Sequence, residues 1–261
     1  MSRSLKEAYQ KAVITPEYES SDRMEYYYQQ RKLKSIRFVL SKILGGRSSL
    51  ILDVGAGKGI VLDLASTIST RLWVVSLEIS KDCCIVLREK GYNPIISDVE
   101  HMPIKSEAVD VVLFLDVIEH LYSPDKVLPD IFRILKTDGN CLISTPNKFG
   151  IYEYKELVYA GAHLIDIVNT LRGRPRTYFP YHVRLYGLKG LLGILKRYDF
   201  HEKCVLTIGS CLPFLGNVEF LAQKVSVDIF RSNVLEKILK VLERRMALFN
   251  YLIILLCEKS A

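Results

Sequence analysis

The chain has 261 residues, 49% hydrophobic and 25% charged, with 15 glycines and 9 prolines. This is ordinary globular usage that excludes disordered, collagen-like and fibrous classes and leaves one large domain or two small ones. Six cysteines without a C-x-x-C pair exclude a disulfide framework and are expected to be reduced, buried thiols of an intracellular protein. The net charge of +7 is concentrated between Asp166 and Asp199, where seven basic residues and no acid occur; the rest of the chain carries 29 of each sign.

Met1 to Lys11 is polar and has no apolar core of the kind a secretory signal needs, so a cytoplasmic protein is expected. Helical spacing of Ile36, Val39, Leu40 and Ile43 predicts a helix over Asp22 to Leu44. From Ser49 onward short β-branched runs alternate with amphipathic stretches. The predicted strands are Leu50 to Val54, Leu72 to Glu78, Pro94 to Ser97, Val109 to Leu115 and Asn140 to Thr145. Helices are expected at Ile60 to Thr70, Ser80 to Gly91 and Asp125 to Lys136, the last stopped by Asp138-Gly139. A helix at Leu188 to Lys196 and strands at Lys203 to Thr207 and Tyr251 to Cys257 complete the pattern.

The expected fold class is α/β: a Rossmann-like, seven-stranded, mostly parallel sheet with helices on both faces and two helical insertions. Residues 1–48 read as N-terminal cover helices, 49–145 as a cofactor-binding core and 146–187 as an acceptor-side insertion. Residues 188–261 complete the domain, with a further insertion at 209–250 that holds the helical stripe Leu235, Ile238, Leu239, Leu242, Met246 and Phe249. The longest apolar run, Met246 to Cys257, is broken by Asn250 and is shorter than the ~20 residues a membrane span requires.

Ile51-Leu52-Asp53-Val54-Gly55-Ala56-Gly57-Lys58-Gly59 joins the first strand to the first helix of the sheet. Glycines at the carboxyl end of such a strand let backbone N–H groups approach a ligand. The G-x-G-x-G spacing satisfies neither a dinucleotide fingerprint nor a P-loop. Glu78 ends the second strand, where a carboxylate can accept from both ribose hydroxyls; Asp98 ends the third and Asp116 the fourth. Carboxylates around a glycine loop repel a pyrophosphate and suit a cofactor carrying a sulfonium and an ammonium. That charge pattern favours S-adenosylmethionine over NAD.

Leu52-Asp53-Val54-Gly55-Ala56-Gly57-Lys58-Gly59, Glu78, Asp98-Val99-Glu100-His101-Met102-Pro103, Asp116-Val117-Ile118-Glu119-His120, Leu135-Lys136-Thr137-Asp138-Gly139 and Ser144-Thr145-Pro146-Asn147 follow one another in order. This succession resembles class I S-adenosylmethionine-dependent methyltransferases, and within them the small-molecule branch containing the ubiquinone and menaquinone methyltransferases. The resemblance spans roughly residues 30 to 150. It implies that Gly55, Ala56 and Gly57 line the methionine part of the cofactor, that Glu78 holds the ribose and that Ile79 packs on the adenine. Asp98 and Val99 would then recognise the adenine edge, Asp116 would lie near the methionine amino group, and Asp53 would order the loop. The run Tyr26-Tyr27-Tyr28-Gln29-Gln30-Arg31 resembles the helix that closes over the cofactor, with Arg31 as a partner for the methionine carboxylate or the tyrosines as plain packing. The implied product is S-adenosyl-L-homocysteine.

Methyl transfer is an in-line displacement in which alignment supplies much of the rate, and a base is needed only for a protonated acceptor. His120, just after the fourth strand, and His182 are the candidate catalytic residues; each reads equally as a pocket-shaping histidine. Glu119 either orients His120 or is solvated at a helix start. No ligand-spaced cluster is visible along the sequence, so no metal is expected.

The segment after the fifth strand combines Tyr152, Tyr154, Tyr159, Tyr178, Phe179, Tyr181 and Tyr186 with the excess positive charge. It suits a small-molecule or lipid-like, anionic acceptor, with peripheral contact to an anionic membrane through Arg172 to Arg184 and the 235–249 stripe. Arg172-Gly173-Arg174-Pro175 matches the core of a minor-groove hook, but it lies inside an aromatic insertion rather than a tail, and nucleic acid is not an expected partner. A monomer or homodimer is expected. The competing reading is a non-catalytic cofactor-binding regulatory or scaffold protein.

Overall fold

The computed structural model describes residues 23–45, 48–148, 182–208 and 252–259, with side chains from Gln29 onward in the first span. In chain order it contains α1 (Arg23–Ile43), β1 (Ser49–Val54), α2 (Ile60–Ser66), β2 (Leu72–Glu78), α3 (Lys81–Glu89), β3 (Asn93–Ile96) and β4 (Val109–Leu115). A 3-10 turn (Ile118–His120), α4 (Pro124–Ile134), β5 (Leu135–Pro146), α5 (Leu188–Arg197), β6 (Phe200–Ile208) and β7 (Leu252–Lys259) follow. The expected insertion helices, including the Leu235 to Phe249 stripe, and the aromatic residues between Tyr152 and Tyr181 lie outside the described residues, as do Arg172, Arg174 and Arg176.

The seven strands form one sheet in the order β3-β2-β1-β4-β5-β7-β6. Strands β1 to β5 run parallel, and β7 inserts antiparallel between β5 and β6. β1, β4 and β7 are near-continuous apolar runs because both sheet faces are covered there, so alternate residues enter two different cores. Leu52, Val112, Phe114, Ile143 and Leu255 pack on one face with Leu128 and Ile131 of α4 and Leu191 of α5. Ile51, Val111, Leu113, Leu142 and Ile254 pack on the other with Ile36 and Leu40 of α1, Leu62 of α2 and Leu87 of α3. After β3 the chain returns to lay β4 beside β1, so the strand order reverses between those two strands. Their carboxyl ends open the crevice in which open α/β sheets bind ligands.

The helix expected over Ile60 to Thr70 ends earlier, at Ser66, and a larger departure follows the fourth strand. The helix predicted to run to Lys136 with a stop at Asp138-Gly139 ends at Ile134, and β5 begins at Leu135. Leu135 pairs with Val109 and Asn140 with Val111, so residues 136–139 form an irregularity inside the strand rather than a helix cap. Asp138 adopts a left-handed φ of 62° there, and Lys136 donates to Asp110 at 2.8 Å. Buried strand pairing outweighed the local turn signal.

Candidate functional site

The turn after β1 is held by backbone alone at its start: Gly55 N–H donates to Leu77 O at 2.7 Å, and Gly59 N–H to Ala56 O at 2.9 Å. Gly55, Gly57 and Gly59 have φ of 77°, 52° and 76°, the left-handed region that favours glycine. Their surroundings differ. A Cβ on Gly55 would lie 2.6 Å from Val117 Cγ2 and one on Gly59 2.6 Å from Leu87 Cδ2, whereas one on Gly57 would meet nothing within 4 Å. Gly55 and Gly59 are therefore demanded by packing, and Gly57 borders open space at the crevice. Gly55→Ala is expected to cost about 1–3 kcal/mol through overpacking and Gly57→Ala about 1 kcal/mol from its φ alone. Urea denaturation of the two variants checks the order, and equal losses would contradict it.

Glu78, at the end of β2, is buried and turned back onto the loop. Its carboxylate accepts from Gly57 N–H at 2.7 Å and from Ser80 N–H at 2.8 Å, while the Ser80 hydroxyl caps α3 by accepting from Cys83 N–H. Two backbone bonds leave lone pairs on the carboxylate for further donors. Asp53 lies buried on β1, and its burial together with the nearby Glu78 pushes its carboxyl up to about 7. Ile79, Asp98 and Val99 are all half-buried, and Asp98 is ordered by an Oδ1 contact from Glu100 N–H at 3.1 Å. Because β3, β2, β1 and β4 are parallel neighbours, the loop, Glu78, Asp98 and Asp116 share one sheet edge.

Asp116 ends β4 in a left-handed conformation, φ 53°, that a non-glycine residue rarely adopts. The neighbouring strand locks it: Asp116 N–H donates to Ser144 O at 2.9 Å, and Ser144 Oγ–H donates to Asp116 Oδ1 at 2.5 Å. The other carboxylate oxygen holds the ammonium of Lys32 from α1. Burial alone would raise Asp116, but the Lys32 charge and hydrogen bond, the Ser144 hydroxyl and the nearby His120 hold it below the usual carboxylate range. Lys32 went unread in the sequence, which singled out the half-buried Arg31 beside it. The available signal was its spacing, four residues before Ile36 and eight before Leu40, which places a charge on the buried stripe of the helix. Lys32→Met is expected to lower stability by about 1–2 kcal/mol, less than a fully buried pair because the Asp116 side chain is 30% exposed. Thermal denaturation checks this.

Beyond Asp116 the chain makes the 3-10 turn that carries Glu119 and His120. Glu119 is 1% exposed, which overturns the reading of a solvated helix start. Thr145 Oγ1–H donates to Glu119 Oε2 at 3.1 Å, and Oε1 has no hydrogen-bond partner among the described residues. Burial first, and the negative charge of Asp116 second, push the Glu119 carboxyl up to about 8, against the smaller pull of His182 and Thr145. Val183 N–H and Arg184 N–H donate to Glu119 O at 2.8 and 3.0 Å, and Lys148 N–H donates to Tyr186 O at 2.9 Å. These bonds pin residues 182–186 across the ends of β4 and β5, bringing the His182 ring to 5.3 Å from that of His120. One ligand atom from each of Glu119, His120 and His182 lies within 4.8 Å of the others.

The adenosyl cofactor expected from the sequence fits these residues: a turn opening into space at Gly57, a ribose-type acceptor in Glu78 and further carboxylates, Asp98 and Asp116, on the same sheet edge. Asp116 departs from the expectation in one respect, since its carboxylate already holds the Lys32 ammonium.

Comparison with known proteins agrees. The family described as a methyltransferase domain matches residues 52–143. A protein of Mycolicibacterium smegmatis named "probable S-adenosylmethionine-dependent methyltransferase" is 32% identical over 103 residues, 38% of this chain and 38% of its own length. The mitochondrial ubiquinone biosynthesis O-methyltransferase of Candida albicans is 27% identical over 136 residues, 49% of this chain and 41% of that one. The chain thus spans about two fifths of the length of these relatives. The crystal structure of a SAM-dependent methyltransferase from Archaeoglobus fulgidus superposes with a TM-score of 0.56 at 16% identity, covering 90% of this chain and 99% of that one, which establishes the shared fold.

Proposed function

We propose that the chain, whose residues 52–143 match a methyltransferase-domain family, is a class I S-adenosylmethionine-dependent enzyme that transfers the donor's methyl group to a small-molecule or lipid-like acceptor and releases S-adenosylhomocysteine. The observation that carries the reading is the gathering of the Gly57 turn, Glu78, Asp98 and Asp116 on one sheet edge. S-adenosylmethionine supplies a methyl group already activated as a sulfonium. Gly55, Ala56 and Gly57 line its methionine part, Glu78 holds the ribose hydroxyls, and Ile79, Asp98 and Val99 take the adenine. Asp116 and Arg31 meet the ammonium and the carboxylate of the methionine moiety, and Asp53 orders the loop beneath. His120 and His182 belong to the acceptor's reacting atom. The protein's contribution is alignment of that atom behind the methyl group.

The acceptor class rests on the basic, aromatic segment that follows β5, together with the name of the Candida albicans relative. An anionic amphiphile matches a segment of sequence in which arginines are interleaved with aromatic residues. Peripheral membrane contact through the same segment predicts sedimentation with anionic liposomes at low salt, and its absence would remove that part of the reading. Among the described residues no helix is long and apolar enough to cross a membrane. Incubation with methyl-labelled S-adenosylmethionine and a fractionated lipid and metabolite extract tests the enzyme. Label in one fraction is the expected result; cofactor binding without transfer would replace the enzyme with a cofactor-dependent regulatory protein.

A further inference from the structure

We propose that Lys32 of α1 sets the ligand specificity of the cofactor crevice by competing with its occupant. On Asp116 the Lys32 ammonium takes the place of the α-ammonium of the methionine part, so adenosyl ligands that carry this group are held less tightly than those that lack it would suggest. The competition rests on the reading of Asp116 as the partner of the methionine ammonium.

Asp116 offers a fixed carboxylate. Its left-handed backbone is locked to Ser144 O, and the Ser144 hydroxyl donates to Oδ1 at 2.5 Å, which leaves Oδ2 as the oxygen presented to a cation. Lys32 holds that oxygen. The position of Lys32 is set by packing: Ile36 and Leu40, one and two turns further along the same stripe of α1, are fully buried in the core beneath the helix. The pair is closed on one side only, since the Lys32 side chain is 7% exposed and that of Asp116 is 30%. A ligand therefore meets the carboxylate with a cation already behind it.

Charge balance gives the sign of the effect. A carboxylate paired with one ammonium attracts a second ammonium while the first repels it, and the two contributions nearly cancel at similar distances. If the second cation displaces the first, a buried ammonium loses its partner; if both share the carboxylate, they repel each other. Either way Lys32 subtracts from affinity. His120, the other charge that acts with Lys32 to keep Asp116 ionised, has the same sign when protonated and supplies no compensation. S-adenosylhomocysteine keeps the α-ammonium of S-adenosylmethionine, so the same competition eases release of the product.

The test is calorimetric titration of the full chain at pH 7 with S-adenosylmethionine, S-adenosylhomocysteine and 5′-methylthioadenosine, which keeps the adenosyl group and sulfur but has no amino-acid part. Lys32→Met should bind the first two about ten-fold more tightly than wild type and the third equally well. Lys32→Arg keeps the cation and should show no such gain. A Lys32 that serves packing alone gives the opposite sign, because loosening α1 weakens all three ligands. Unchanged or weaker binding of S-adenosylmethionine by Lys32→Met, or an equal gain for 5′-methylthioadenosine, overturns the proposal. Should Lys32→Met fail to fold by circular dichroism, Lys32→Gln, which can still donate to Asp116 without the charge, carries the same expectation. Failure of wild type to bind any of the three ligands refutes the methyltransferase reading, whereas binding of all three with no gain in the uncharged variants refutes the competition alone.

Discussion

Replacing Glu78 with alanine is expected to weaken S-adenosylmethionine binding by about 100-fold, since two hydrogen bonds from ribose hydroxyls to a carboxylate are together worth roughly 3 kcal/mol. The same carboxylate accepts from Gly57 and Ser80 N–H groups, so the variant also loosens the loop on which the cofactor's methionine part would rest. Glu78→Gln separates the two contributions. It retains an acceptor oxygen but not the charge, and should lose about ten-fold. Calorimetric titration with the cofactor gives both constants, and far-UV circular dichroism shows whether the sheet persists. An alanine variant within three-fold of wild type would remove Glu78 from the cofactor site. Gly57→Arg attacks the site from the opposite direction: its side chain grows into open space, so folding should survive while binding is lost.

The second large effect is on stability against pH. Burial, reinforced by Glu78, raises the Asp53 carboxyl from 3.8 to about 7. A carboxyl raised on folding holds its proton more tightly in the native state, so the native state binds more protons than the unfolded chain throughout that interval. Its favourable contribution is complete below pH 4 and is lost as pH rises through 7, a change of about 4 kcal/mol. Asp53→Asn removes this titration. The difference in unfolding free energy between variant and wild type should therefore move in the variant's favour from pH 4 to pH 8 and level off above. Denaturant unfolding of both proteins across that range measures it; a difference independent of pH would show that Asp53 is ionised in the native protein.

How legible each feature was depended on the range of the interactions behind it. β2 and β4 occur at their predicted boundaries because runs such as Val109 to Leu115, apolar on both faces and ended by polar residues, have few alternatives in a sheet covered on both sides. The end of α4 was misplaced because Leu135 is claimed by Val109 across the sheet, a partner that a local turn signal does not register. Strand-end carboxylates could be read in order because β1 to β5 are parallel and so place their carboxyl ends on the same edge. Lys32 could not be matched to Asp116, 84 residues away, without knowing how α1 crosses the sheet.

From sequence alone came the α/β alternation, the glycine turn and the acidic residues that suit a positively charged adenosyl cofactor, since each depends on residues close in the chain or repeated at a fixed period. Tertiary structure alone decided that Glu119 is buried rather than solvated, that Lys32 neutralises Asp116, and that His182 stands beside His120. Burial and charge pairing depend on desolvation and on distances between segments far apart in the chain, and only the assembled sheet with its cover helix sets those.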